Sequence, residues 1–111
     1  MIGTSDPKKL AEFYGKVFDK KTEWEDGKMF VWKVGNSYFS VGEHSEVKGK
    51  TKEGPRTMFC FDTKDVKEEF ERIKKLGAEV IAEPYERDGG WIATLADPDG
   101  NYFQLVTPWE E

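Results

Sequence analysis

Cysteine and histidine are nearly missing from this chain: each occurs once in 111 residues, as Cys60 and His44. A single cysteine excludes an internal disulfide and a cysteine zinc cluster. A single histidine excludes a His–His metal pair and a Ser-His-Asp triad with a spare base. His44 itself opens a polar stretch and reads as a solvated residue. No apolar run is long enough to span a membrane and no signal peptide is evident, so the cytoplasm is the expected compartment. An excess of basic residues is also lacking. With 17 Lys and Arg against 22 Asp and Glu, the net charge is −5, which disfavours nucleic acid as a partner and favours neutral or cationic ligands.

What the chain does have is apolar and aromatic content, 37% and 14%. That is enough for one folded domain with a real core despite its high charge. The aromatics are also numerous enough to line a cavity. Trp24, Trp32, Trp91 and Trp109 all have core or edge packing as the plain account, and Trp32 is the candidate wall for a flat ligand.

The most informative stretch runs from Asp97 to Val106. Asp97-Pro98-Asp99-Gly100-Asn101 is a turn: Pro98 presets φ, and Gly100 accepts φ > 0 without steric cost. Tyr102-Phe103-Gln104-Leu105-Val106 then reads as a strand. Residues two apart share a face, so Phe103 and Leu105 point one way and Tyr102, Gln104 and Val106 the other. A mid-strand amide among apolar residues needs partners, and a water, a side chain such as Ser40, or a ligand is expected to meet Gln104.

Upstream, Asp6-Pro7 starts a helix with Asp6 as N-cap. Leu10, Phe13, Tyr14, Val17 and Phe18 form its apolar stripe. Residues 22–25, 29–34 and 38–41 read as strands, broken by Asp26-Gly27 and Gly35-Asn36. Residues 44–55 are polar and lysine-rich and read as a linker. A strand over 57–62 follows. Asp65 with Glu68 looks like a capping box opening a helix whose apolar face is Val66, Phe70, Ile73 and Leu76, with Gly77 as its stop. Residues 79–83 form a strand ending at Pro84, with Glu79, Glu83 and Glu86 solvated. Residues 91–96 form the next strand, after Asp88-Gly89-Gly90.

The two halves match. Asp6 and Asp65 cap the helices, Asp26-Gly27 recurs as Asp88-Gly89, and Gly35-Asn36-Ser37-Tyr38 recurs as Gly100-Asn101-Tyr102. The expected fold is therefore α+β: two βαβββ modules, residues 1–43 and 56–108, forming a cupped mixed sheet with the helices outside. All 111 residues make a single domain. Phe13, Val17, Phe39, Val41, Phe59, Phe61, Phe70, Ile73, Phe103 and Leu105 are expected between helix and sheet. The other face is free to form a pocket.

Asp6-Pro7 with Phe13-Tyr14, Asp65-Val66 with Leu76-Gly77-Ala78, and Asp97-Pro98-Asp99-Gly100-Asn101, in order and in duplicate, resemble the glyoxalase, bleomycin-resistance and extradiol-dioxygenase superfamily (vicinal oxygen chelate). The resemblance covers the whole chain. It implies homodimers. It also implies a divalent metal held by His, Glu or Gln on the first and last strands of each module. Carried over by position, those ligands fall at Gln104, Ser40 and near Met58, and a first one would precede Met1. Hydroxyl, thioether and amide are poor donors for a hard divalent ion. A metal-site-lacking member is expected, with no metal and no cofactor.

Three readings follow. The preferred one is a metal-free protein that binds a small aromatic or cationic molecule, with Gln104, Ser40, Met58, Tyr38, Tyr102, Trp32 and Cys60 as candidate ligand contacts. Cys60 enters as a small hydrophobe on the Met58 face. The alternative is a metal-dependent lyase, isomerase or dioxygenase of the same superfamily, similar to lactoylglutathione lyase. The third is an interaction domain whose pocket is filled by its own side chains.

Overall fold

The computed structural model describes residues 1–56 and 58–108; Thr57 and Trp109, named above, lie outside the described residues. Helix α1 (Pro7–Phe18) starts where the sequence places it: the Asp6 carboxylate accepts the Lys9 N–H at 3.2 Å, and Pro7 stands in the first turn. Asp19 ends it in the left-handed conformation, φ 53°, with its N–H donating to the Gly15 carbonyl. Leu10 and Tyr14 are fully buried. Tyr14 lies 4.8 Å from Phe39 and Phe18 lies 5.7 Å from Trp32, ring centre to ring centre, within the range in which aromatic pairs add to area burial.

The first sheet contains β1 (Ile2–Thr4), β2 (Trp24–Glu25), β3 (Met29–Val34) and β4 (Ser37–Glu43), in the order β1-β4-β3-β2. β1 runs parallel to β4 and the other pairs are antiparallel. In the β2–β3 turn, Asp26 Oδ1 accepts the Lys28 and Met29 N–H groups, both at 2.9 Å. Those bonds hold its carboxyl below its ordinary value.

The second sheet contains β5 (Met58–Asp62), β6 (Glu79–Arg87), β7 (Gly90–Ala96) and β8 (Tyr102–Val106), in the order β5-β8-β7-β6. Again the first and last strands of the module pair in parallel. The same order with the same directions in both halves is the duplication seen in the turns. The sheet expected as one is hydrogen-bonded as two four-stranded sheets, one per module. α1 packs on β3 and β4, and α2 (Val66–Lys75) packs on β6, β7 and β8. Phe70, Ile73, Phe103 and Leu105 are buried in that second core.

Three local expectations are corrected. Pro84 does not end its strand: β6 continues to Arg87, with register shifts between Val80 and Tyr85. β6 is an edge strand, where a residue without an N–H is tolerated at an irregularity. The capping box at Asp65 and Glu68 does not form. The Asp65 side chain makes no cap hydrogen bond, and its N–H, which Glu68 would have accepted, donates instead to Thr63 Oγ1 at 3.1 Å. Leu76 is 39% exposed rather than part of the apolar face, because it follows the last helical turn. Gly77, φ 96°, does close the helix.

The chain divides into two compact units between Lys50 and Thr51, inside the stretch read as a linker. Each half of that stretch is tied to its own unit. The His44 N–H donates to the Thr4 carbonyl at 3.0 Å, and the Gly49 N–H to Ser5 Oγ at 3.4 Å. Thr51 N–H donates to the Asp99 carbonyl at 2.8 Å, and a 3₁₀ turn, Gly54–Arg56, follows.

Candidate functional site

Alternation along β8 places its side chains as expected. Phe103 and Leu105 lie beneath α2, 0% and 3% exposed, and Tyr102, Gln104 and Val106 occupy the helix-free face. The parallel register sets Met58 beside Tyr102, Cys60 beside Gln104 and Asp62 beside Val106. The antiparallel register sets Thr94 on the other flank of Gln104 and Ile92 beside Val106. The structure thus brings together Met58, Cys60, Tyr102 and Gln104.

The Gln104 amide is held from both sides within its own sheet. Its Nε2 donates to Thr94 Oγ1 at 3.3 Å, and its Oε1 accepts the Cys60 thiol at 3.5 Å. A primary amide has two N–H groups and two lone pairs. These two bonds use one of each, so one donor and one acceptor remain side by side on the half-exposed face. That pairing suits a group that both accepts and donates. Met58 is 45% exposed, and with the half-buried Tyr102 it supplies apolar surface beside the amide. Asp62 supplies an exposed carboxylate.

In the first module, Tyr38 and Ser40 share the helix-free face of β4, with Lys33 and Val31 opposite them on β3. Trp32 does not join them, which corrects the expectation that it walls a ligand on this face. It pairs with Phe39, and both turn toward α1, leaving Trp32 only 1% exposed. The tryptophan on the Ser40 face is Trp24, which stands opposite Val31 and is 53% exposed.

Sequence reasoning did not single out Thr94 or Asp62, and it placed Trp24 behind Trp32 as a wall for a flat ligand. Thr94 carried a legible signal, since it is the polar middle of the Ile92–Thr94–Ala96 alternation. Its pairing with Gln104 depends on a strand register that local pattern does not determine.

The positions at which the resemblance implies metal ligands hold an amide, a hydroxyl (Ser40) and a thioether (Met58). The amide oxygen already accepts a thiol proton. Among the described residues, no three His, Cys, Asp or Glu side chains converge to hold a metal ion. This donor set does not fit a hard divalent cation, which needs several carboxylate or imidazole donors in one place. Among the described residues no helix is long and apolar enough to cross a membrane.

Residues 1–106 match the model of a family described as a glyoxalase-like domain. No curated protein matches the sequence. Solved structures with the same fold include a hypothetical protein from S. aureus (TM-score 0.76, 23% identity, 96% of this chain and 89% of that one). Another is a glyoxalase/bleomycin resistance protein/dioxygenase family enzyme from Burkholderia phytofirmans (TM-score 0.74, 24% identity, 96% and 93%). A third is a fosfomycin resistance protein from Mesorhizobium loti (TM-score 0.70, 19% identity, 97% and 87%). At these identities the likeness is one of fold.

Proposed function

The chain belongs to the glyoxalase-like domain family, and from that premise we propose that it binds a small, planar, neutral or cationic molecule without a metal, on the helix-free face around Gln104. The observation that carries this reading is the setting of the amide: Thr94 and Cys60 flank it, where a metal centre would need carboxylate or imidazole. Met58 and Tyr102 supply apolar contact, the spare N–H and lone pair of Gln104 supply orientation, and Asp62 with the acidic net charge favours a cation. Tyr38 and Ser40 are the corresponding contacts proposed in the first module. The protein acts in the cytoplasm as a twofold homodimer, since each sheet has edge strands that invite pairing. Light scattering that returned the monomer mass of 12.8 kDa at micromolar concentration would contradict the dimer.

Binding is tested with N-methylacridinium, a planar cation, followed through the backbone amide signals of β8, which the wild type and the variant both carry. The expected result is a saturable shift in the wild type and an affinity about tenfold weaker in Gln104→Leu, the loss of roughly 1.4 kcal/mol. The substitution keeps the fold but orphans the Thr94 hydroxyl, lowering stability by about 1 kcal/mol. Equal affinity in the two proteins would overturn the assignment of this face.

A further inference from the structure

The first module has a groove of about 570 Å³ on the other face of its sheet, where α1 leaves the β2–β3 edge uncovered. One wall is the α1 stripe Lys8, Ala11, Glu12 and Gly15, and the floor is Phe30 and Trp32. The helix-facing side of β3 is thus sealed by α1 at one end and open at the other.

Trp32 carries the observation that points to a ligand. It is 1% exposed, and its one polar atom, the indole Nε1–H, has no hydrogen-bond partner among the described residues. Among those residues no buried side-chain nitrogen or oxygen is sealed off without a partner, so the N–H opens onto the groove that Trp32 lines. Gly15 is what leaves it open. A Cβ at Gly15 would stand 3.9 Å from Cζ2 and 4.0 Å from Nε1, so any longer side chain there would cover the donor. A buried indole N–H ordinarily finds an acceptor, and here the groove is where one can reach it.

The rim decides the charge of that acceptor. Lys8, Lys20 and Lys21 line the groove together with Glu12 and Glu25; Lys20 Nζ also donates to the Lys33 carbonyl, and Glu25 accepts the Thr22 hydroxyl at 2.6 Å. The balance is cationic, in a chain whose net charge is −5. We propose that this groove binds small aromatic carboxylates, with the ring on Phe30, one carboxylate oxygen on the Trp32 N–H, and the charge among the lysines. The site lies on the opposite sheet face from Ser40 and stands independently of the Gln104 reading.

The test is a titration of 15N-labelled protein with 2-naphthoate, reading the Trp32 indole cross-peak, which is assigned by its disappearance in Trp32→Phe. The expected result is a saturable downfield shift with a Kd below about 1 mM, and no shift with 2-naphthylmethylammonium. Gly15→Leu fills the groove and should weaken binding at least about tenfold. Should that variant melt early, Lys21→Glu on the exposed rim should weaken binding several-fold in a protein of unchanged melting temperature. A Trp32 signal that stays fixed through ~10 mM naphthoate would overturn the proposal. So would binding indifferent to both substitutions, or shifts confined to the Gln104 amide.

Discussion

Asp97→Ala is expected to lower the free energy of unfolding by about 3 kcal/mol. Asp97 is 5% exposed, yet its carboxylate is well used. Oδ1 accepts the N–H of Asp99 and of Asn101, both at 2.9 Å, and Oδ2 accepts Asn101 Nδ2 at 3.0 Å. Hydrogen bonds to a charged acceptor contribute roughly 1.5–3 kcal/mol each, and they do not add fully, because water reaches part of a loosened turn. The variant also frees the carbonyl of Asp99, which receives the Thr51 N–H. Amide exchange at Thr51 should therefore quicken before the module unfolds. Asp97→Asn keeps one acceptor oxygen and should lose about half as much. Urea titration measures both, and a loss under about 1 kcal/mol for alanine would show that the turn is held by its backbone bonds alone.

Gly54→Ala is expected to cost about 2–3 kcal/mol, more than a glycine-to-alanine change in most loops. The added Cβ would collide with the Gly100 carbonyl oxygen and come within 2.5 Å of Tyr102 Cε1. The carbonyl belongs to the turn that Asp97 fixes, so it cannot swing away, and overpacking against backbone is among the costlier forms. Gly15→Ala is the control: its Cβ has ordinary contact distances, and helix propensity predicts a gain of about 0.5–1 kcal/mol. Thermal or urea unfolding of the pair separates a steric cost at Gly54 from a general effect of removing glycine. Equal changes in the two would contradict the packing account.

Both expectations centre on Asp97-Pro98-Asp99-Gly100-Asn101, and that stretch was legible because its chemistry is local. Proline presets one φ, glycine (φ 84° at Gly100) accepts a positive one, and the aspartate bonds its own neighbours. α1 was legible for the same reason, through its cap and its apolar period. The face of Trp32 was not. Met29, Val31 and Phe30, Trp32, Val34 are apolar on both sides of β3, so alternation names no inner face. Only the contact with Phe18 and Phe39 decides it. Pro84 misled because an edge strand with a register shift does not need the missing N–H, and whether a strand lies at the edge is a property of the whole sheet. The amide of Gln104 could be marked as needing partners from its place in the strand. Naming Thr94 and Cys60 required the register of three strands, and the open Trp32 N–H required the way α1 lies across β3.

Elemental analysis of protein purified without chelators tests the central claim most directly, since the Gln104 face is proposed to bind its ligand with no metal. The account predicts substoichiometric zinc, nickel, iron and manganese, well under about one atom in ten chains, because amide, hydroxyl and thioether groups hold hard divalent ions poorly. One atom of any of these metals per chain would contradict it and would favour a metal-dependent enzyme.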